Sequence, residues 1–204
     1  MNKEFKTLKE KRDMYSTRLL SLVLTSLFVV LPGLHAAPTY KIDPVHAAVI
    51  FYVKHMGVAH SYGRFNDVSG SYSIDAKDLA KSSIEVSIKA TSIDTNNQKR
   101  DDHLRGPDFF KSKQFPTIIF KSKSIKDAGK DRFKVTGDLT LLGKTKTIEI
   151  EVTHVGTGKG RSGKPLSGYT TSFTIKRSDF GMNYGIPNIG DDVHLTISFE
   201  GAAS

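Results

Sequence analysis

The chain predicts an all-β fold, an eight-stranded antiparallel β-barrel with one short helix between its third and fourth strands. Three observations lead there. Apolar and polar residues alternate through eight separate stretches, the period of a strand with one buried face. Short turns rich in Gly, Asp and Lys join most of these stretches. One segment, Thr95 to Phe120, breaks the alternation and carries helix start and stop signals. Eight strands favour an up-and-down barrel, which leaves no exposed edge and can hold one small ligand.

The first 36 residues stand apart from the fold. Lys3, Lys6, Lys9, Lys11, Arg12 and Arg18 make a basic start, Leu19 to Leu31 is uncharged and apolar, and the small residues Ala36 and Ala37 follow. Charged, apolar, small is the order of a secretory signal peptide. The apolar run of 13 residues is shorter than the ~20 that a membrane-spanning helix needs. Cleavage after Ala36 is expected, which divides the chain into a signal peptide at 1–36 and a barrel domain at 37–204. A retained anchor is the alternative.

Composition narrows the chemistry. Without residues 1–36, which carry 6 basic and 3 acidic side chains, 24 basic and 18 acidic residues remain, a net charge of +6. That balance suits an anionic membrane surface, or a mildly basic skin with no partner. An exported chain is not expected to meet nucleic acid. There is no Cys among the 204 residues, so disulfides, thiol catalysis and Cys-based metal sites are excluded.

Each element has its own pattern. In the first strand, His46 to His55, Val49, Phe51, Val53 and His55 share one face. Met56 to Tyr62 reads as a connection. Gly63 to Ile74 places Val68, Gly70, Tyr72 and Ile74 in step. Ser83 to Thr91 is the cleanest alternation, with Ile84, Val86, Ile88 and Ala90 on one side and Glu85, Ser87 and Lys89 on the other. The helix follows, over roughly Asn96 to Arg105. Thr95 and Gln98 have capping-box spacing, and Gly106-Pro107 is a stop, with Gly suited to a left-handed cap. Leu104 is its only large apolar residue, so its surface must be wet or hydrogen-bonded. Phe109 and Phe110 come directly after, as the aromatic end of a barrel plug.

Thr117 to Ser124 is the fourth strand, with Ile118 and Phe120 inward. Arg132 to Leu141 carries Phe133, Val135, Gly137, Leu139 and Leu141 in phase. A tight hairpin at Leu142-Gly143-Lys144-Thr145 leads to Lys146 to Val155, with Ile148, Ile150 and Val152 inward. Gly156 to Lys164 reads as a loop. Leu166 to Lys176 presents Tyr169, Thr171, Phe173 and Ile175, a longer loop runs from Arg177 to Asp192, and Val193 to Glu200 closes the set. Glycines within strands, at positions 70, 137 and 168, suit a barrel that bends or leaves interior room. Strands of about 8–10 residues at ~3.3 Å each, tilted by ~40°, make a barrel roughly 20–25 Å tall.

These motifs, taken together and in order, resemble the YceI-like family of exported, lipocalin-like proteins. The resemblance covers the chain beyond the leader. It rests on Tyr40-x-Ile42-Asp43-x-x-His46, Phe51-x-Val53-x-His55, Ser92-Ile93-Asp94-Thr95 and Arg100-Asp101-x-His103-Leu104. It continues through Phe109-Phe110, Phe115-Pro116-x-Ile118-x-Phe120, Gly137-x-Leu139-Thr140 and Arg177-Ser178-Asp179-Phe180-Gly181-Met182. It implies a lipocalin-like barrel around a long apolar chain, a polyisoprenoid or an isoprenoid-quinone-like lipid, with no covalent cofactor.

By pattern alone, the inward faces read as packed core sooner than as a cavity, since most inward strand residues only fill space. The resemblance implies a cavity, and makes Phe51, Val53, Val86, Phe109, Phe110, Phe120, Leu139, Ile150, Phe173 and Ile197 its expected ligand-binding walls. Six histidines, at 46, 55, 60, 103, 154 and 194, raise the question of a metal. Their spacing is irregular and matches no ligand motif, so none is expected. Arg100, Asp101 and His103 could serve acid–base chemistry, but the better reading is that they satisfy the polar helix where it meets the barrel. The expected protein is therefore a periplasmic lipid binder with no catalytic residues, loaded by a membrane surface or a membrane protein, and a homodimer stays open. The rivals are an enzyme on an apolar substrate using His103 and Asp101, and a redox accessory whose bound quinone is the active group.

Overall fold

The computed structural model describes residues 37–204; the leader at 1–36 lies outside the described residues. Eleven strand segments make one closed antiparallel sheet. They are β1 (Tyr40–Ile42), β2 (Ala48–His55), β3 (Ala59–Phe65), β4 (Val68–Ser73), β5 (Ser83–Lys89), β6 (Ile93–Asp94), β7 (Thr117–Asp127), β8 (Arg132–Leu141), β9 (Lys144–Lys159), β10 (Pro165–Lys176) and β11 (Ile189–Ala203). One α-helix, α1 (Gln98–Arg105), lies between β6 and β7.

Eleven segments form eight barrel strands because the first three strands are each broken once. β1 and β2 are two halves of one strand: both pair with β11, β1 at Tyr40↔Ala203 and β2 at Val53↔Val193. β4 pairs with β1 and β5, while β3 pairs with β2 and β6. The three breaks lie side by side and form one fault across the sheet. At the first, Pro44 cannot donate to a ladder, and Pro44–His46 forms a 3-10 turn capped by the Asp43 carboxylate, which accepts the Val45 N–H at 2.9 Å. At the second, the inward phase shifts from Gly63 and Phe65 to Val68 and Tyr72. Ser92, from the third break, holds that kink by accepting the Asn66 N–H on its carbonyl and the Asp67 N–H on its hydroxyl. Beyond the breaks the pairing is sequential, from β5 through β7, β8, β9 and β10 to β11.

Most expected elements are found, with shifted limits. The segment read as a connection to Tyr62 is already β3 from Ala59. β9 runs on to Lys159, so the segment from Gly156 is strand and only 160–164 turns. β9 and β11 have 16 and 15 residues, longer than the 10 and 8 expected from Lys146 to Val155 and Val193 to Glu200, and make a deeper barrel. The β8–β9 hairpin has the predicted form: Leu142 and Gly143 both have positive φ, at 52° and 71°, the pattern of the two-residue turn that matches strand twist.

The helix cap is a correction. Thr95 is not the cap; Asn97 is, and its side chain accepts the Arg100 N–H at 3.0 Å. Gly106 ends the helix in extended backbone, φ −75°, rather than left-handed.

One end of the barrel is closed by rings. Tyr72 is buried, with Tyr40 stacked at 5.4 Å and Tyr169 and Phe199 each at 5.2 Å. Its hydroxyl donates to the Ser167 carbonyl. Burial pushes the Tyr72 hydroxyl well above the ordinary tyrosine pKa, so it stays a neutral donor. At the opposite end β6 pairs only with β3, and the segment 95–116 covers the gap between β6 and β7.

Candidate functional site

Between the aromatic floor and α1 lies an elongated apolar bore. Its volume is about 150 Å³. All ten residues expected as walls line it: Phe51, Val53, Val86, Phe109, Phe110, Phe120, Leu139, Ile150, Phe173 and Ile197. They come from β2, β5, β7, β8, β9, β10 and β11 and from the segment after α1. Strand alternation explains the convergence, because every second residue of a closed sheet points to the axis. His55, expected on the same face as Phe51 and Val53, is exposed at the rim.

Glycines make room for the wall aromatics. Gly63 sits directly across from Phe51, and a Cβ there would lie 2.4 Å from Phe51 Cζ. A Cβ on Gly137 would lie 2.5 Å from Phe120 Cζ. The interior room these glycines leave is filled by phenyl rings.

Several walls were missed by sequence reasoning. Phe65 lies just before the phase shift. Arg177, Met182 and Ile189 fall in a segment read as loop, yet all three reach the bore. Arg177 is 3% exposed and pairs with no carboxylate among the described residues. It donates instead to the carbonyls of Met182, Tyr184, Ile189 and Gly190, at 2.8–2.9 Å. Burial lowers its pKa from the usual arginine value, against the pull of Asp191. The guanidinium thus ties the loop 181–190 to the barrel end.

At the α1 end the bore opens into a mixed vestibule of about 300 Å³, where His55, Ser61, Tyr62, Thr95, Arg100 and His103 join the apolar Phe51, Val53, Leu104, Phe109 and Ile189. The acids of α1 are turned elsewhere. Asp101 is buried and accepts both the N–H and the hydroxyl of Thr95. Arg100 donates to the same hydroxyl at 2.7 Å and to the Thr95 carbonyl at 2.6 Å. Asp102 takes Arg105 and Gln98, and Asp108 takes His103 Nε2 at 2.8 Å. Asp101 and His103 therefore do not form the pair an acid–base mechanism would need. The rings of His103, Phe109 and Tyr184 pack within 5.1–5.3 Å of one another and hold the loop against the helix.

Of the histidines, His46 meets two carboxylates: Asp43 at 2.9 Å and Glu200 at 3.5 Å. The group is exposed and reads as an ion-pair clamp that holds the 3-10 turn to β11.

The fold and site define a class: a closed eight-stranded antiparallel barrel with one covering helix around an elongated apolar bore. The YceI-like domain model matches residues 40–201, and the chain belongs to the YceI-like family. It is 38% identical to "Protein YceI" of Escherichia coli O157:H7 over 185 residues, covering 90% of this chain and 96% of that one. Among solved structures it is similar to BcnA of Burkholderia cenocepacia, with a TM-score of 0.70 and 27% identity over 78% of this chain and 98% of that one. A polyisoprenoid-binding domain from Saccharophagus degradans shares the fold, with a TM-score of 0.63 and 16% identity over 83% of this chain and the whole of that one.

Proposed function

We propose that this protein is an exported, periplasmic binder that stores or carries a long-chain isoprenoid, or an isoprenoid-quinone-like lipid, without chemistry of its own. One observation carries the reading: a bore whose walls are almost wholly apolar, closed by rings at one end and with polar side chains gathered at the other. Each buried CH₂ contributes about 0.8 kcal/mol, so a long tail binds well with few polar contacts. The name of the Saccharophagus domain, a polyisoprenoid-binding domain, points to the same ligand class. The chain end would lie toward Tyr72, and the polar end in the vestibule.

Mass spectrometry of an organic extract of the protein from its own compartment tests this directly, and a prenyl quinone in that extract would favour the redox accessory. Val86→Trp tests the bore. Val86 is 8% exposed and lines the cavity. In delipidated protein the indole should enter open space, leaving the melting temperature near that of the parent, while affinity for a polyprenyl compound falls further with each added isoprene unit. A lower melting temperature with affinity per folded molecule unchanged would mean a packed core. Export is tested by N-terminal sequencing, which should begin at or near Ala37; recovery of Met1 in a membrane fraction would show an anchor.

A further inference from the structure

The vestibule end differs from the floor end in what its turns expose. Nine large apolar side chains are exposed among the described residues. Four of them sit on two turns beside the vestibule: Met56 and Val58, 57% and 84% exposed, and Tyr184 and Ile186, 47% and 41% exposed. None sits on the three hairpin turns at the floor end, 74–82, 128–131 and 160–164. The two apolar turns are one surface. The Met56 N–H donates to the Asn188 carbonyl at 2.6 Å, and His55 pairs with Ile189. Tyr184 packs on Phe109, so this surface borders the segment that covers the bore.

Charge around these tips is in positive excess, with one exposed acid, Asp179, outside any ion pair among the described residues. Lys54, Lys99, Lys111, Lys113 and Lys144 lie at the same end, and none forms an ion pair among the described residues. The nearby acids Asp102, Asp108 and Asp192 are paired with Arg105, His103 and Lys176. Apolar tips at an end with an excess of lysines suit the surface of an anionic bilayer: the tips enter the headgroup layer and the lysines meet lipid phosphates. Tips on a neutral protein partner would have no use for the lysines.

We infer that the vestibule rim, built from the Met56–Val58 turn and the Tyr184–Ile186 loop, docks on an anionic phospholipid bilayer, so that a lipid enters or leaves the bore without crossing water. This rests on the lipid-carrier reading for its purpose, but not for its test.

The exported chain, delipidated, is cosedimented with vesicles of phosphatidylcholine alone and with about 30% phosphatidylglycerol. Binding should require the anionic lipid and weaken as salt rises. Met56→Asp with Val58→Asp should lower vesicle affinity by about tenfold or more, and Lys99→Glu with Lys111→Glu and Lys113→Glu should do the same. All five positions are exposed, so melting temperature should hold. Affinity for a detergent-solubilised polyprenyl compound should stay within about twofold. A floor-end control, Lys130→Glu with Arg161→Glu and Lys164→Glu, should leave vesicle binding intact. Equal binding to both vesicle types overturns the inference, as does equal loss in the floor-end control. So does a concentration-dependent dimer in ultracentrifugation that the Met56 and Val58 changes dissolve, which would make the rim a contact between copies. Vesicle binding with no affinity for the solubilised compound would support the docking surface and overturn the carrier reading.

Discussion

The ring of Phe120 occupies the space that a side chain on Gly137 would need. A Cβ at Gly137 would stand 2.5 Å from Phe120 Cζ and 2.7 Å from the Lys121 carbonyl oxygen. The two residues are on neighbouring strands, β7 and β8, and the missing side chain of one sets the rotamer of the other. That ring is a wall of the bore, so a backbone feature shapes the cavity.

Gly137→Ala should therefore destabilise the protein by about 1–3 kcal/mol, the usual cost of overpacking. Adding Phe120→Leu should recover part of the loss but not all, because the Lys121 oxygen stays in place. Urea midpoints of the single and double variants decide it. A neutral Gly137→Ala would mean that the Phe120 ring moves freely.

Thr95 should matter through Asp101 rather than as a cap. Thr95→Ala removes the hydroxyl that meets Arg100 and the buried Asp101 carboxylate, and should cost about 1–3 kcal/mol. Thr95→Ser should keep most of that stability. Asn97→Ala should cost about 0.5–2 kcal/mol as the loss of the true cap. Denaturation midpoints of the three variants separate the roles, and a harmless Asn97→Ala would return the cap to Thr95.

Arg177→Lys should destabilise by on the order of 3 kcal/mol, since one ammonium has no fork of donors to meet four carbonyls. The loss should be local. Hydrogen exchange should speed up in 181–190 before the rest of the barrel, and uniform acceleration would place Arg177 in the global core.

The His46 clamp should make stability depend on pH. Its bond to Asp43, and the Glu200 charge, raise the His46 pKa above its ordinary 6.5. The bond from His46, and that from the Val45 N–H, lower Asp43 below its ordinary 3.8. A raised histidine stabilises fully below its unfolded pKa, and its contribution is lost as pH rises through the folded value. A lowered carboxylate stabilises above its unfolded pKa, and its contribution is lost as pH falls through the folded value. The clamp is thus strongest between about 3.8 and 6.5. His46→Gln should lower the melting temperature at about pH 5 and much less at about pH 9. An equal effect at both would mean that the clamp is not ionic.

Much of this was legible in period-two alternation. It placed eight strands and the inward phase of Val86, Leu139, Ile150 and Ile197, because a half-buried strand writes its orientation into every second residue. The helix between Asp94 and Thr117 showed itself as a polar interruption, and the glycine that ends it was plain. The breaks were harder to read. Pro44 signals its own, but the phase shift between Phe65 and Val68 is held by Ser92, a residue 25 or more positions away. Arg177, Met182 and Ile189 reach the bore from a segment without alternation, so no local pattern marks them as walls.

By itself, the sequence determined the inward phase within each regular strand, since side-chain direction along a strand is a local property of the backbone. It also determined that no thiol chemistry is available, and where the chain turns tightly. Only the tertiary structure decided that the inward faces enclose a bore with a ringed floor and a polar mouth. Whether inward side chains meet or stand apart depends on the closure of β1 and β2 onto β11, and on where Gly63 and Gly137 let phenyl rings lie. Those are distances between residues far apart in the chain, and no window of sequence contains them.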